Sequence, residues 1–324
     1  MKTSLALSLH GRDWWKPFLI YWVIAIAIDV AQQLLGSRGA WGRAHPGLAI
    51  AVQLGLALVL WLFAAGFNVV FLRILAPRLS VDGDSLAFQG KIGEFLWLNV
   101  VGILLSIVTI GVFLPWYARR AVDYLASRTS WRGSGFAFMG RGGRLFVLML
   151  LGFWVPLAVL VVVISVPVAL AAPGSMRDGP AGGAQLLTML VTFLFVLYML
   201  LVVVYLVYKW MVDFSWKDVR VRWKTRFWPS FGFVLGQVLL CIATLTVYWP
   251  SAFLNLYRYF TARTVFIRGE TEIGHMAFEG QKGFGLLWGQ FALGVITLGV
   301  YLPWAYGNVG RWLVGATVIE RTDK

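Results

Sequence analysis

Apolar runs dominate this chain. Seven stretches, Pro17–Leu35, Gly47–Leu72, Glu94–Trp116, Leu145–Ala172, Leu186–Tyr208, Pro229–Tyr257 and Phe284–Tyr306, approach or exceed the ~20 mostly apolar residues with which a helix crosses hydrocarbon. Only 13% of the 324 residues are charged, against about a quarter in soluble domains. The runs predict an all-α polytopic membrane protein of about seven hydrophobic helical segments, with short cytoplasmic β segments between them. At the start, the patch Leu5–Leu9 is short, and Asp13, Trp14, Trp15 and Lys16 separate it from the first run. That order reads as a retained helix with interfacial tryptophans rather than a cleaved signal. Cys241 is the single cysteine, so no intrachain disulfide is expected.

The net charge of +14 raises nucleic acid as a partner, but Lys and Arg stand beside apolar runs, where they meet headgroups and set topology. The expected partners are the bilayer, anionic phospholipids and a membrane protein, with no nucleic acid.

A motif, Phe-x-Gly-x-x-Gly, occurs at Phe88, Gly90 and Gly93, at Phe138, Gly140 and Gly143, and at Phe278, Gly280 and Gly283. A second pattern runs from Thr109 through Gly111 to Pro115-Trp116, and again from Thr297 through Gly299 to Pro303-Trp304. A degenerate copy runs from Thr244 to Pro250; Pro115, Tyr124, Arg128 and Thr129 match Pro250, Tyr259, Arg263 and Thr264 at a constant offset of 135. These copies are read as an internal repeat. At Arg119-Arg120, Tyr124, Arg128-Thr129, Gly133, Phe136, Phe138 and Gly140 the sequence resembles the YjgN-like family of bacterial inner-membrane proteins. The resemblance covers Leu86 to Thr317 and implies an inner-membrane location but no activity, cofactor or catalytic residue. Arg stands where the family has Asn in both Arg-Thr pairs. Residues 1–84 are read as an N-terminal two-helix membrane extension, and 85–324 as the repeat-containing domain.

Charge also bears on topology. Tyr117–Arg144 and Lys209–Trp228 hold six Lys/Arg each, while Pro173–Ala184 holds Arg177 alone, so Leu145–Ala172 and Leu186–Tyr208 read as a spanning hairpin. If all seven runs cross, 17 Lys/Arg fall inside and 11 outside; if the three Pro-containing segments dip in and return, the division is 25 to 3. Both topologies stay open on the sequence. Val219–Phe227 alternates strictly between basic and apolar residues, the pattern of a strand with two unlike faces.

No catalytic, metal-binding or nucleotide-binding constellation is found, and the chain is not expected to be an enzyme or to carry a cofactor. His10, His45 and His275 are scattered, and Asp82-Gly83-Asp84 reads as a turn. Polar residues inside apolar runs usually face protein or water. The candidates are Asp29, Asn99, Gln237 and Gln290, read first as bonds between helices and alternatively as a solute pathway. A basic face of Arg119, Arg120, Arg220, Arg222, Lys224 and Arg226, interleaved with tryptophans, is the candidate surface for anionic lipid or a protein partner. Phe88, Gly90, Gly111, Pro115, Phe138, Gly140, Pro250, Phe278, Gly280, Gly299 and Pro303 are assigned to packing. Two functions follow: a small-solute permease or channel, and a non-catalytic membrane scaffold.

Overall fold

The computed structural model describes residues 2–36, 40–170, 181–281 and 283–322. Short strands alternate with long helices along the chain. The strands are β1 (Lys2–Leu7), β2 (Leu79–Val81), β3 (Asp84–Phe88), β4 (Thr129–Trp131), β5 (Ser134–Phe138), β6 (Asp213–Trp216), β7 (Val219–Trp223), β8 (Thr264–Arg268), β9 (Thr271–Phe278) and β10 (Thr317–Arg321). All ten join edge to edge in one closed antiparallel barrel, in the order β1-β10-β9-β8-β7-β6-β5-β4-β3-β2. Four tight hairpins supply eight of the strands. Asp82-Gly83 and Arg132-Gly133 adopt positive φ, as two-residue turns between twisted strands require. The remaining two strands come from opposite ends of the sequence, with Thr3 opposite Ile319.

This barrel overturns the expectation of an all-α protein of about seven helical segments. Its strands are three to eight residues long, too short to stand out beside apolar runs several times their length. Only across the closed ring do their backbone groups find partners.

Helices fill the intervals between hairpins. The first interval holds α1 (Gly11–Leu35), the short α2 (Ala40–Ala44) and α3 (Pro46–Leu75). Next come α4 (Ile92–Val108) and α5 (Leu114–Ser127). The third holds α6 (Gly142–Met149) and α7 (Val155–Leu170), continuous through a π-helical turn, then α8 (Ala181–Tyr198) and α9 (Val204–Met211), joined in the same way. α10 (Phe227–Ala243) with α11 (Trp249–Thr261), and α12 (Gly283–Ile296) with α13 (Leu302–Gly315), complete the set. Among the described residues, four helical stretches are long and apolar enough to span: Gly11–Leu35, Pro46–Arg78, Gly142–Val162 and Thr188–Met211. The outer connection Pro173–Ala184, with Arg177, falls largely outside the described residues.

The three Pro-containing segments are helix pairs that leave the barrel and return to it. α4 has 17 residues, about 25 Å at 1.5 Å per residue, short of the ~30 Å hydrocarbon layer. Both flanking strands of each pair belong to the same barrel, so neither pair member ends on the opposite face. Each reversal is built the same way. The Thr109 hydroxyl donates to the Leu105 carbonyl at 2.7 Å and accepts the Phe113 N–H at 3.0 Å. Thr244 and Thr297 bond Leu240 and Tyr248, and Leu293 and Tyr301, in the same pattern. Gly111 and Gly299 take positive φ at the turn, where the degenerate copy has Thr246. The turn N–H groups of Ile110, Gly111 and Val112 all bond nearby carbonyls. Such a tip meets the demand that backbone in lipid satisfy itself, and it exposes Ile110, Leu245 and Leu298 almost fully.

Beneath the helices, the Phe-x-Gly motifs pack aromatic rings onto glycine. A Cβ on Gly90, Gly140 or Gly280 would overlap the ring of Phe88, Phe138 or Phe278 respectively. Phe138 is buried with Ala126, Leu145 and Trp210, tying β5 to α5, α6 and α9. Pro115, Pro250 and Pro303, each in the first turn of the returning helix, are fully buried.

In a Cys241→Ser background, cysteines placed at Ser127 and Ala262 are expected to behave alike. Both should resist a membrane-impermeant maleimide in intact cells and both should react after permeabilisation; reaction of one alone in intact cells contradicts a shared face. Thr297→Val leaves the Tyr301 N–H without its acceptor, the Leu293 carbonyl keeping the Thr297 N–H, and should cost about 1–3 kcal/mol, read as a lower Tm. An unchanged Tm would refute the hydroxyl's role in the turn.

Candidate functional site

The polar residues inside the helices are spent on joining helix to helix. Tyr117 donates its hydroxyl to Asn99 Oδ1, and Asn99 Nδ2 donates to the Phe95 carbonyl at 2.7 Å. In the second pair, Asn255 Nδ2 donates to Gln237 Oε1 at 3.2 Å and to the Tyr248 hydroxyl at 3.0 Å. In the third, Asn308 Nδ2 donates to Gln290 Oε1 at 3.1 Å, and Arg311 donates to Asn308 Oδ1 at 2.7 Å. One bond in each pair, Tyr117 to Asn99, Asn255 to Gln237 and Asn308 to Gln290, links the outgoing and returning helix, at about 0.6 kcal/mol apiece; the others brace these groups within their own helix. Asp29 is exposed and accepts from Gln33 at 2.7 Å, one turn along its own helix. The four candidates therefore do not converge.

Cations converge on the outer wall of the barrel instead. Strand alternation turns Val219 and Val221 to the lumen, where both line a cavity, and turns Arg220 and Arg222 outward. A groove of about 540 Å³ at the junction of strands and helices is lined by Arg144, Lys209, Arg222, Lys224, Arg226 and Arg263, with Trp223 and Tyr259. Arg144 comes from the first turn of α6, Lys209 from the last turn of α9, and Arg226 caps α10. Its cations are held apart by different means. Lys209 donates to the Thr225 carbonyl at 2.8 Å, and Lys224 pairs with Glu272 at 2.8 Å. The Arg263 guanidinium lies 3.5 Å from the centre of the Tyr259 ring and donates to the Tyr259 carbonyl at 3.0 Å. Arg144, Arg222 and Arg226 have no ion pair or hydrogen bond through their side chains among the described residues.

A second hollow, of about 490 Å³, shares Arg144 and Lys209 with the groove and adds Arg141, Trp210, Asp213 and Arg220. There Arg220 is neutralised: Nε and Nη2 donate to the two oxygens of Asp213 at 2.7 and 2.8 Å, raising the guanidinium pKa further. Of the basic face read from sequence, Arg222, Lys224 and Arg226 meet in the groove and Arg220 lies in the adjoining hollow. Arg119 and Arg120 line neither; Arg120 stacks over Phe113 on the re-entrant pair α4–α5. Arg144, Lys209 and Arg263 complete the site without having been singled out. Their signal was present, since each stands where an apolar run meets a connection, but its convergence depends on the barrel. Trp228, beside the groove, is 76% exposed, the placement of an interfacial anchor. Among the described residues no group of three or more His, Cys, Asp or Glu side chains could hold a metal ion.

A closed barrel carrying apolar helices, with a cationic groove where the two meet, defines a helical membrane protein built on a ring of strands. The chain belongs to the family described as bacterial protein of unknown function (DUF898), which it matches over residues 84–275, more than half its length. It is 31% identical over 70 residues to inner membrane protein YjgN of Escherichia coli (strain K12), an alignment covering 22% of this chain and 18% of that protein. It is 32% identical over 69 residues to inner membrane protein YjgN of Salmonella typhimurium (strain LT2), covering 21% and 18%. The matched segment thus spans less than a fifth of either relative. The YjgN-like resemblance read from the motifs is borne out, and with four helices long and apolar enough to cross the chain is an inner-membrane protein. No solved structure matches it.

Proposed function

We propose that this protein is a non-catalytic membrane scaffold whose barrel faces the cytoplasm and whose groove holds anionic phospholipid headgroups. One observation carries the reading: six cations surround one groove at the base of the helices, and among the described residues a carboxylate pairs with Lys224 alone of the six. That is the level at which headgroups lie, and each Lys or Arg near a charged leaflet contributes about 1 kcal/mol. The barrel side of the helices carries most of the Lys and Arg, which supports a cytoplasmic barrel by the positive-inside rule. The repetition of strand hairpin and helix pair around the axis is read as an internal repeat, which would place equivalent interfacial ends around the whole belt.

A permease reading draws on the helix pairs, which pack side by side in a ring, α13 closing against α1. Broken helices serve transport when their ends present free backbone groups to a substrate. Here Thr109, Thr244 and Thr297 occupy those ends, and Asn99, Gln237 and Gln290 are each bonded to the facing helix of their own pair. The scaffold reading is therefore preferred.

Native mass spectrometry of protein purified from mixed phosphatidylglycerol and phosphatidylcholine checks it. Phosphatidylglycerol should be enriched on the wild type, and Arg222→Gln and Arg226→Gln should each weaken its retention by about fivefold. Arg119→Gln should leave it unchanged. Equal retention of both lipids by the wild type would falsify the reading.

A further inference from the structure

The inward face of the barrel has no part in the groove, and its chemistry differs. Val81, Trp131, Phe136, Trp216, Val219, Val221, Phe266, Ile273 and Ile319 line a lumen cavity of about 480 Å³. They come from β2, β4, β5, β6, β7, β8, β9 and β10, so nearly the whole ring contributes. The lining lies toward the hairpin turns, away from the helices: Phe138 and Phe278, on the same inward face but nearer the helices, are buried against Trp210 and Trp312 and take no part in it. Among the described residues, the charged side chains lining the cavity are Arg132, Arg268 and Arg321, and no carboxylate lines it. Arg132 is held by Asp84 at 2.5 Å and Arg268 by Asp218 at 2.6 Å, outside the lining. Arg321, the last residue of β10, has no partner for its guanidinium among the described residues.

A cavity of this size with apolar walls and few convergent polar groups is the usual form of a small-molecule site. Left to water, its apolar walls would have no compensating contact; filled by a chain of methylenes, they recover about 25 cal/mol per Å² removed from water. Cations at the rim without acids in the wall select the sign of the ligand's head. We propose that the barrel lumen binds a single-chain amphiphile with an anionic head, the chain lying among Phe136, Trp216, Val221 and Phe266 and the head at Arg321, beside the Thr3 and Thr322 side chains that also line the cavity. Because the lining lies away from the helices, the ligand enters from water as a single chain and not as a diacyl lipid of the bilayer. A long-chain carboxylate and a lysophospholipid share this chemistry.

The test uses the full chain in phosphatidylcholine nanodiscs, with a diazirine-bearing long-chain carboxylic acid as the probe and mass spectrometry of the cross-linked peptides as the readout. Cross-links should fall on residues 131–136, 216–221 and 266–274. Excess unlabelled acid or lysophosphatidylglycerol should abolish them, and whichever competes at lower concentration identifies the source of the ligand. The alcohol of equal chain length should not compete. Arg321→Gln should raise the half-saturating probe concentration about tenfold, and Val221→Trp, which fills the lumen, should remove the cross-links. Cross-links confined to the helices, or equal competition by the alcohol, overturn the proposal without recourse to any variant. Neither result bears on the outer groove, none of whose cations is altered in this experiment.

Discussion

A strand at the edge of a sheet leaves a row of N–H and C=O groups without partners, and a short strand has little else to hold it. In this protein the pairing of β1 with both β10 and β2 removes every such edge by joining the two ends of the sequence into one ring. Everything else in the architecture follows from that closure. Each helix pair must begin and end on the same ring, so a short pair can only leave it and come back. The lumen, the outward basic face and the junctions with the helices are positioned by the same closed ladder.

The re-entrant tips show how such a return is tolerated. A sharp reversal in hydrocarbon would ordinarily leave backbone groups stranded at several kcal/mol each. One threonine hydroxyl per tip serves as both donor and acceptor, closing the outgoing helix and opening the returning one. The adjacent left-handed residues carry the chain round, and buried proline starts the return where a missing N–H costs nothing. Further down, the amide and tyrosine bonds of each pair keep its helices in register, at a distance of 18 residues along the chain in all three cases.

The barrel wall separates two chemistries that the sequence interleaves. In β7 the alternation of Val219, Arg220, Val221 and Arg222 places one set of side chains in an apolar lumen and the other on a cationic outer surface. The outer set joins Arg144 of α6 and Lys209 of α9, which stand at least eleven residues away in the chain but on the same seam. Tight pairing with Asp213 withdraws Arg220 from that seam, so the usable charge is concentrated on Arg144, Arg222 and Arg226.

Much was legible in the sequence by itself: the membrane location from the apolar runs, the family from the Phe-x-Gly and Thr-to-Pro motifs, and the alternation in Val219–Phe227 that the structure realises as β7 over Val219–Trp223. Those features are local, written in composition and in periods of two or of a helical turn. The return of the Pro-containing segments, left open by charge counting, was decided by the ring, because parity depends on which strands pair. The barrel itself was missed as the organising element for the same reason. Strands as short as Leu79–Val81 and Thr129–Trp131 carry no signal alone, and their partners lie from a few residues to the full length of the chain away. Where the cations gather was likewise set by tertiary structure, since Arg144, Arg222 and Arg263 become neighbours only when three separate connections are drawn onto one closed sheet.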